Sequence, residues 1–239
     1  MSQMLNQDEV RVFYNSVSNV WGENDPWHEY SKRVIDKYLH RFNCFTNSTI
    51  LNAGSAGNSY NLDCKTMYHV DIAEDKIKNV KNSIVASIEK MPFQNDFFDN
   101  IICVGSVLNY CDALAAISEL SRVLKANGNL FLEYESSWGF EYAGKDCYKN
   151  HACIITTQYI EDKHKQWLYS PFYINNIIKS SSLTIQNYYP FHICDGIFSK
   201  VLSDRTSVKL TQIDCVLYKM PFFRKHGNNI IMQCRKHSF

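Results

Sequence analysis

From Thr49 to Glu135, short apolar runs alternate with stretches of helical spacing. Strands are predicted at Thr49–Ala53, Met67–Asp71, Ser83–Ser87, Asn100–Gly105 and Asn129–Tyr134. Helices are predicted between them at Glu74–Lys81 and Ala113–Leu124. In the second, Leu114, Ile117, Leu120, Val123 and Leu124 share one face, and Asn127-Gly128 supply a stop. Such alternation predicts a doubly wound, parallel α/β sheet, whose ligand belongs at the carboxyl ends of the strands.

Before this core, Val10, Phe13, Tyr14 and Val17 recur at helical spacing, and Trp21-Gly22-Glu23-Asn24-Asp25-Pro26 breaks the pattern. A second helix then runs through Tyr30, Val34, Ile35, Tyr38 and Leu39. This pair is expected to cap a pocket mouth, with Tyr14 and Trp21 facing inward. Beyond Glu135 the alternation loosens. Ser136 to Asn150 reads as a loop over the pocket, carrying Trp138, Phe140, Tyr142 and Tyr148. Ile154–Ile160 and Gln166–Tyr169 read as a hairpin with E-D-K-H-K as its longer turn. A helix at Pro171–Ser180, a strand at Leu183–Tyr189, a helix at Thr206–Leu217 and a final strand at Asn229–Arg235 complete the assignment.

The 239 residues fit one domain, since single α/β folds reach ~200–250 residues. The expected division is a helical cap at 1–45, a cofactor-binding core at 46–135 and a substrate side at 136–239. A net charge of +1, from 25 basic and 24 acidic residues, argues against a protein built around nucleic acid. Nine scattered cysteines without C-x-x-C pairs fit reduced thiols better than zinc or disulfides. No apolar run approaches the ~18 residues of a membrane span, and the first residues lack a charged start and apolar signal core. The expectation is a cytoplasmic protein without a metal.

The chemistry concentrates at the predicted strand ends. T-I-L-N-A-G-S-A-G-N-S-Y, from Thr49 to Tyr60, runs an apolar strand into small residues ahead of a helix. Missing side chains there let the backbone approach a ligand, and N–H groups at a helix start can face it. Asp71 closes the second strand about 20 residues later, where a carboxylate can accept from both hydroxyls of a ribose. Ser87, Ile88 and Glu89 pair short polar with apolar side chains, as the edge and face of a purine require. Gly105-Ser106-Val107-Leu108-Asn109-Tyr110 reaches the same rim.

Four segments in register resemble the class I S-adenosylmethionine-dependent methyltransferases, in particular the small-molecule branch called methyltransferase type 11. They are L-N-A-G-S-A-G-N, Y-H-V-D-I, A-S-I-E-K-M-P-F-Q-N-D-F-F-D-N-I-I-C-V-G-S-V-L-N-Y and E-L-S-R-V-L-K-A-N-G-N-L-F-L-E, and the similarity spans Tyr14 to Glu135. The resemblance implies a Rossmann-like, mostly parallel, seven-stranded sheet with aromatic-rich C-terminal insertions. S-adenosyl-L-methionine would be the cofactor and S-adenosyl-L-homocysteine the product. The first-motif residues Asn52, Gly54, Ser55 and Ala56 would face the methionine moiety, and Asp71 the ribose. Ile72, Ser87 and Ile88 would surround the adenine. Val104, Gly105 and Ser106 would line the other side, and Tyr14 would reach the cofactor's carboxylate. Four positions depart from the family pattern: Asn52 replaces an acidic residue, Ala56 and Asn58 replace glycines, and Ser87 an aspartate.

The implied function is methyl transfer to oxygen or nitrogen of a small, apolar or aromatic metabolite, with Trp21, Tyr110, Trp138 and Tyr142 as substrate contacts. For a general base, His192 in Y-Y-P-F-H-I-C-D ranks ahead of His151, with Asp195 or Tyr110 to orient it. His28 and His69 read as structural, and Arg224–His226 as a solvated face. Two alternatives stay open: a protein or nucleic-acid methyltransferase, and a degenerate member that binds cofactor or a partner without catalysis.

Overall fold

A computed structural model describes residues 5–17, 20, 21, 25–159, 162–198, 206 and 210–238. The chain opens with α1 (Gln7–Ser16), capped by the Asn6 side chain, which accepts from the Asp8 N–H. In α2 (Pro26–Leu39), Asp25 caps the Trp27 and His28 N–H groups and Pro26 fills the first turn, where its missing donor costs nothing. Then come β1 (Thr49–Ala53), β2 (Thr66–Asp71), α3 (Glu74–Ile77), β3 (Ser83–Val85) and β4 (Phe98–Cys103). Asp112 caps α4 (Ala113–Val123), which runs into β5 (Leu124–Glu135). A ribbon of β6 (Ala152–Tyr159) and β7 (Asp162–Tyr169) precedes α5 (Pro171–Ser180), β8 (Leu183–Phe191), α6 (Cys194–Phe198), α7 (Asp214–Leu217) and β9 (Asn229–Lys236).

Seven strands form one sheet in the order β3-β2-β1-β4-β5-β9-β8. The first five are parallel, and β9 runs antiparallel between β5 and β8. The order reverses between β1 and β4, which opens a crevice at their carboxyl ends. The strand period of two splits the side chains of β5 between the two faces. Leu130, Leu132 and Tyr134 join α4 and α5 in one apolar cluster, and Phe131 joins α2 in the other. Glu133 and Glu135 share the Phe131 face, beyond its apolar end.

Beyond shifts of strand ends, such as β4 at Phe98–Cys103 and β3 stopping at Val85, four differences from the sequence assignment stand out. The helix expected at Glu74–Lys81 stops at Ile77, because a further turn closes through Val80 N–H and Ile77 C=O and Asn82 turns left-handed, at φ 57°. The expected stop at Asn127-Gly128 is a bulge inside β5, where Leu124 already pairs with Phe98. A Cβ on Gly128 would lie 2.7 Å from the Asp99 carbonyl oxygen. Lys163 to Lys165 belong to the ladder rather than to a long turn, since pairing runs on to Tyr159 opposite Asp162. Of the helix expected at Thr206–Leu217, a 3-10 turn (Leu210–Ile213) and α7 stand, and residues 207–209 lie outside the described residues. Among the described residues no helix is long and apolar enough to cross a membrane.

Phe131 is fully buried between Phe42, at 5.0 Å, and Phe45, at 4.9 Å between ring centroids. Phe131→Ala is expected to cost about 3–5 kcal/mol of folding free energy. Urea titration checks this, and a loss below about 1 kcal/mol would contradict the packing described.

Candidate functional site

A cavity of about 620 Å³ lies over the crevice, within the ~300–1,000 Å³ typical of small-molecule sites. At one end it is lined by Gly54, Ser55, Ala56, Asp71, Ile72, Ser87 and Ile88, and above them by Val104, Gly105 and Ser106. Tyr14, Trp21, Tyr110 and Tyr142 also line it.

The turn after β1 is set by close backbone approach. Gly54 has φ 70°, and a Cβ there would fall 2.3 Å from Val107 Cγ1, so this turn rests directly on the one after β4. The N–H groups of Gly54 and Ser55 both donate to the Val70 carbonyl, at 2.7 and 3.2 Å. Asp71 ties the turn to its neighbour: Oδ2 accepts from Ala56 N–H at 2.8 Å and Oδ1 from Ala73 N–H at 2.9 Å. Burial raises the Asp71 pKa, and these two N–H groups work against that rise. Each oxygen retains a second acceptor direction for a ligand. Asn52 does not line the cavity. It is 1% exposed, and its amide donates to the Asn58 carbonyl at 2.6 Å, closing the turn from within.

Helix α1 reaches the end lined by Ser87 and Ile88. Gln7 Nε2 donates to Glu89 Oε1 at 3.2 Å and to the Tyr110 carbonyl at 3.0 Å. Glu89 N–H donates to Ser87 Oγ at 3.2 Å. Tyr14 meets Tyr110 edge-on with centroids 5.2 Å apart, and Phe13 stacks on His164 at 4.7 Å. Trp21 packs over Gly105, 3.6 Å from the position of its absent Cβ.

At the opposite end, the expected contacts Tyr110 and Tyr142 are joined by residues the sequence reading did not single out. Glu133 Oε2 accepts from Gly105 N–H at 2.9 Å and Ser106 N–H at 2.6 Å, and its Oε1 accepts from the Asn229 amide at 2.7 Å. Glu135 accepts from the Tyr142 hydroxyl and, at 2.6 Å, from Gln166 Nε2. Burial first, and then the charge of Glu141, push the Glu135 pKa up to about 7. Tyr110 Oη and His164 Nε2 share a hydrogen bond of 2.7 Å at the same end. Glu133, Glu135, Glu141, His164, Gln166 and Asn229 all line the cavity. One signal could have found the first two: L-F-L-E-Y-E puts two carboxylates on one strand face at the carboxyl end of the fifth strand.

The structure does not bring His192 to the cavity. It is fully buried, one ring nitrogen bonded to the Asp195 carboxylate and the other 2.7 Å from Ser31 Oγ. Trp27 stacks on it at 3.6 Å. With both nitrogens engaged it anchors α2 to the end of β8. Trp138 also lies off the cavity, beside His226 and under Lys149. His151 is exposed and contacts Ser170. Of the expected solvated run, Arg224 and Lys225 are exposed, but His226 is buried and stacks on Phe140.

Two stability measurements test this geometry. Ala56 has φ 42°, a conformation costing an L-residue about 1–2 kcal/mol. Ala56→Gly, with an entropic cost of about 0.4–1 kcal/mol, is expected to be neutral to slightly stabilising in urea titration. A clear loss would show that the Ala56 methyl is packed. His192→Ala is expected to cost about 3 kcal/mol or more, because it strips a buried carboxylate of its partner. Unchanged stability would contradict the anchoring role.

Comparison with known proteins places this geometry. Residues 51–132 match the family described as a methyltransferase domain. An uncharacterized protein of Methanocaldococcus jannaschii is 33% identical over 104 residues, 41% of this chain and 45% of its own length. The chain thus spans less than half of the curated relatives it matches. A putative S-adenosylmethionine-dependent methyltransferase from Listeria monocytogenes superposes with a TM-score of 0.61 at 11% identity, covering 88% of this chain and 98% of that one. The Burkholderia thailandensis 1,6-didemethyltoxoflavin-N1-methyltransferase, solved with 1,6-didemethyltoxoflavin and S-adenosylhomocysteine, gives 0.56 at 9% identity, covering 97% and 87%. The sheet thus has the fold of the class I S-adenosylmethionine-dependent methyltransferases, and its segment from β1 to β5 matches a methyltransferase domain.

Proposed function

We propose that this chain transfers a methyl group from S-adenosylmethionine to an oxygen or nitrogen of a small metabolite with an apolar or aromatic body, releasing S-adenosylhomocysteine. The observation that carries the proposal is the continuity of the cavity. Gly54 and Asp71, the turn after β4, and Tyr110 and Glu135 all line one and the same cavity. A likeness in fold to an N1-methyltransferase solved with S-adenosylhomocysteine supports a small acceptor.

The residues present fit the cofactor. The Gly54–Ala56 backbone would take the methionine moiety, and Tyr14 its carboxylate. Asp71 would take the ribose hydroxyls through its remaining acceptor directions. Ile72 and Ile88 would cover the adenine faces and Ser87 its edge, with Val104 to Ser106 on the other side. Bound there, the cofactor supplies an electrophilic methyl group on a sulfonium. The chain's own work is alignment and exclusion of water, which is most of what an in-line displacement requires. Residues 46–135 would hold the cofactor, and 1–45 and 136–239 would form and cover the acceptor end, all within one domain.

A second reading, cofactor binding without transfer, is favoured by one feature. Asn52 stands where the family has a carboxylate, and its side chain is spent inside the turn.

Calorimetry with S-adenosylmethionine and S-adenosylhomocysteine separates these readings from an empty fold. Both ligands are expected to bind, and Asp71→Ala should weaken binding at least ~10-fold, the loss of about one charge-assisted hydrogen bond. Because the ionised Asp71 is the better acceptor and its pKa is raised, affinity should decline on mild acidification, before an ordinary aspartate would titrate. No binding by the folded protein would overturn the proposal. Unchanged affinity in the variant would overturn the ribose assignment.

A further inference from the structure

The acceptor end of the cavity carries more hydrogen-bond acceptors than its own donors can fill. Glu133 and Glu135 stand on one face of β5 and line it. Among the described residues neither forms an ion pair with a lysine or arginine. Asn229 is 5% exposed, lines the same wall, and its Oδ1 has no hydrogen-bond partner. The amide cannot be turned to relieve this, because its Nδ2 donates to Glu133 Oε1 at 2.7 Å and a swap would set two acceptors face to face. The surrounding charged and titratable groups are Glu141, Tyr142 and Lys145 after β5, His164 on β7, and Tyr110 after β4. The Lys145 ammonium lies 5.1 Å over the Tyr142 ring.

A buried acceptor without a donor is costly, so such a wall selects a ligand that brings donors and positive charge. A hydroxyl brings one donor and no charge. A protonated amine brings several donors together with a charge.

Resting on the methyltransferase reading, we propose that the methyl acceptor is a small amine held against Glu133, Glu135 and the Asn229 carbonyl oxygen, with Glu135 taking the proton that the nitrogen must lose. The acceptor enters as an ammonium and gives one proton to the Glu135 carboxylate. The freed lone pair forms the N–C bond as the methyl–sulfur bond breaks, with that electron pair left on sulfur. The product leaves as an N-methylammonium, and the proton on Glu135 passes to water. The charge balances: two cations enter, and one cation and one proton leave. A carboxylate buried enough to titrate near neutrality is a base matched to this task.

The test uses the whole protein saturated with S-adenosylhomocysteine, titrated calorimetrically with matched pairs: phenethylamine against 2-phenylethanol, and tryptamine against tryptophol. The amine of each pair is expected to bind at least ~10-fold tighter than its alcohol at about pH 8, as a charge-assisted contact would give. Glu135→Gln should abolish that preference while S-adenosylhomocysteine still binds. The preference should grow as pH rises through about 7, where Glu135 ionises. In Tyr142→Phe, which removes a donor from the carboxylate, the rise should move to higher pH. Incubation with methyl-deuterated S-adenosylmethionine should add the label to the amine nitrogen. Equal binding within the pairs, no binding of either member, or an amine preference untouched by Glu135→Gln would overturn the inference. Failure of S-adenosylhomocysteine itself to bind would instead overturn the function on which it rests.

Discussion

The buried carboxylate of Glu133 is the contact through which both walls of the cavity are placed. After β4 the chain takes two left-handed residues in succession, Gly105 at φ 85° and Ser106 at φ 58°. That geometry turns consecutive N–H groups toward one point, a concavity that attracts an anion. Glu133 fills it from the next strand and, through Asn229, also holds the antiparallel strand beyond. Burying a carboxylate here raises its pKa, and the Asn229 amide and the two N–H groups offset part of that cost. With the turn fixed, Val107 can rest on Gly54, Trp21 can cover Gly105, and Tyr110 can face His164.

The two ends of the cavity are made differently, which bears on their roles. The Gly54–Asp71 end is mostly backbone, positioned by parallel strand pairing and by one carboxylate that clamps adjacent turns. Such a surface suits a ligand whose shape is constant. The other end is made of side chains from β5, β7, β9 and the segment after β5, linked by hydrogen bonds between Glu135, Tyr142 and Gln166. Substituting any of these changes the polarity of the wall without disturbing the sheet, and acceptor identity would be set there.

Much of the fold was legible because its signals are local. The five parallel strands announce themselves as apolar runs, and the caps at Asp25, Asp112 and Ser170 use short polar side chains at helix starts. The glycine turn and Asp71 were legible for the same reason, since each follows directly from its strand end. What was missed depends on contacts distant in sequence. His192 read as a base because it follows a strand, but Ser31, 161 residues earlier, and Trp27 bury it. Asn52 read as a ligand contact because its family position is one, and only the path of the turn shows its amide turned to Asn58. Trp138 belongs to an aromatic group around His226 that no local pattern announces. Glu133 closes one of the family-like segments and Glu135 follows just beyond it, but their partners come from four other segments.

The central claim is that one cavity holds the cofactor against Asp71 and presents its sulfur to the Glu135 end. A crystal structure with S-adenosylhomocysteine tests it most directly. The ribose hydroxyls should sit on the Asp71 carboxylate, with the sulfur facing the space bounded by Tyr110, Glu135 and Tyr142. A ligand bound with its ribose away from Asp71, or with its sulfur sealed from that space, would contradict the account.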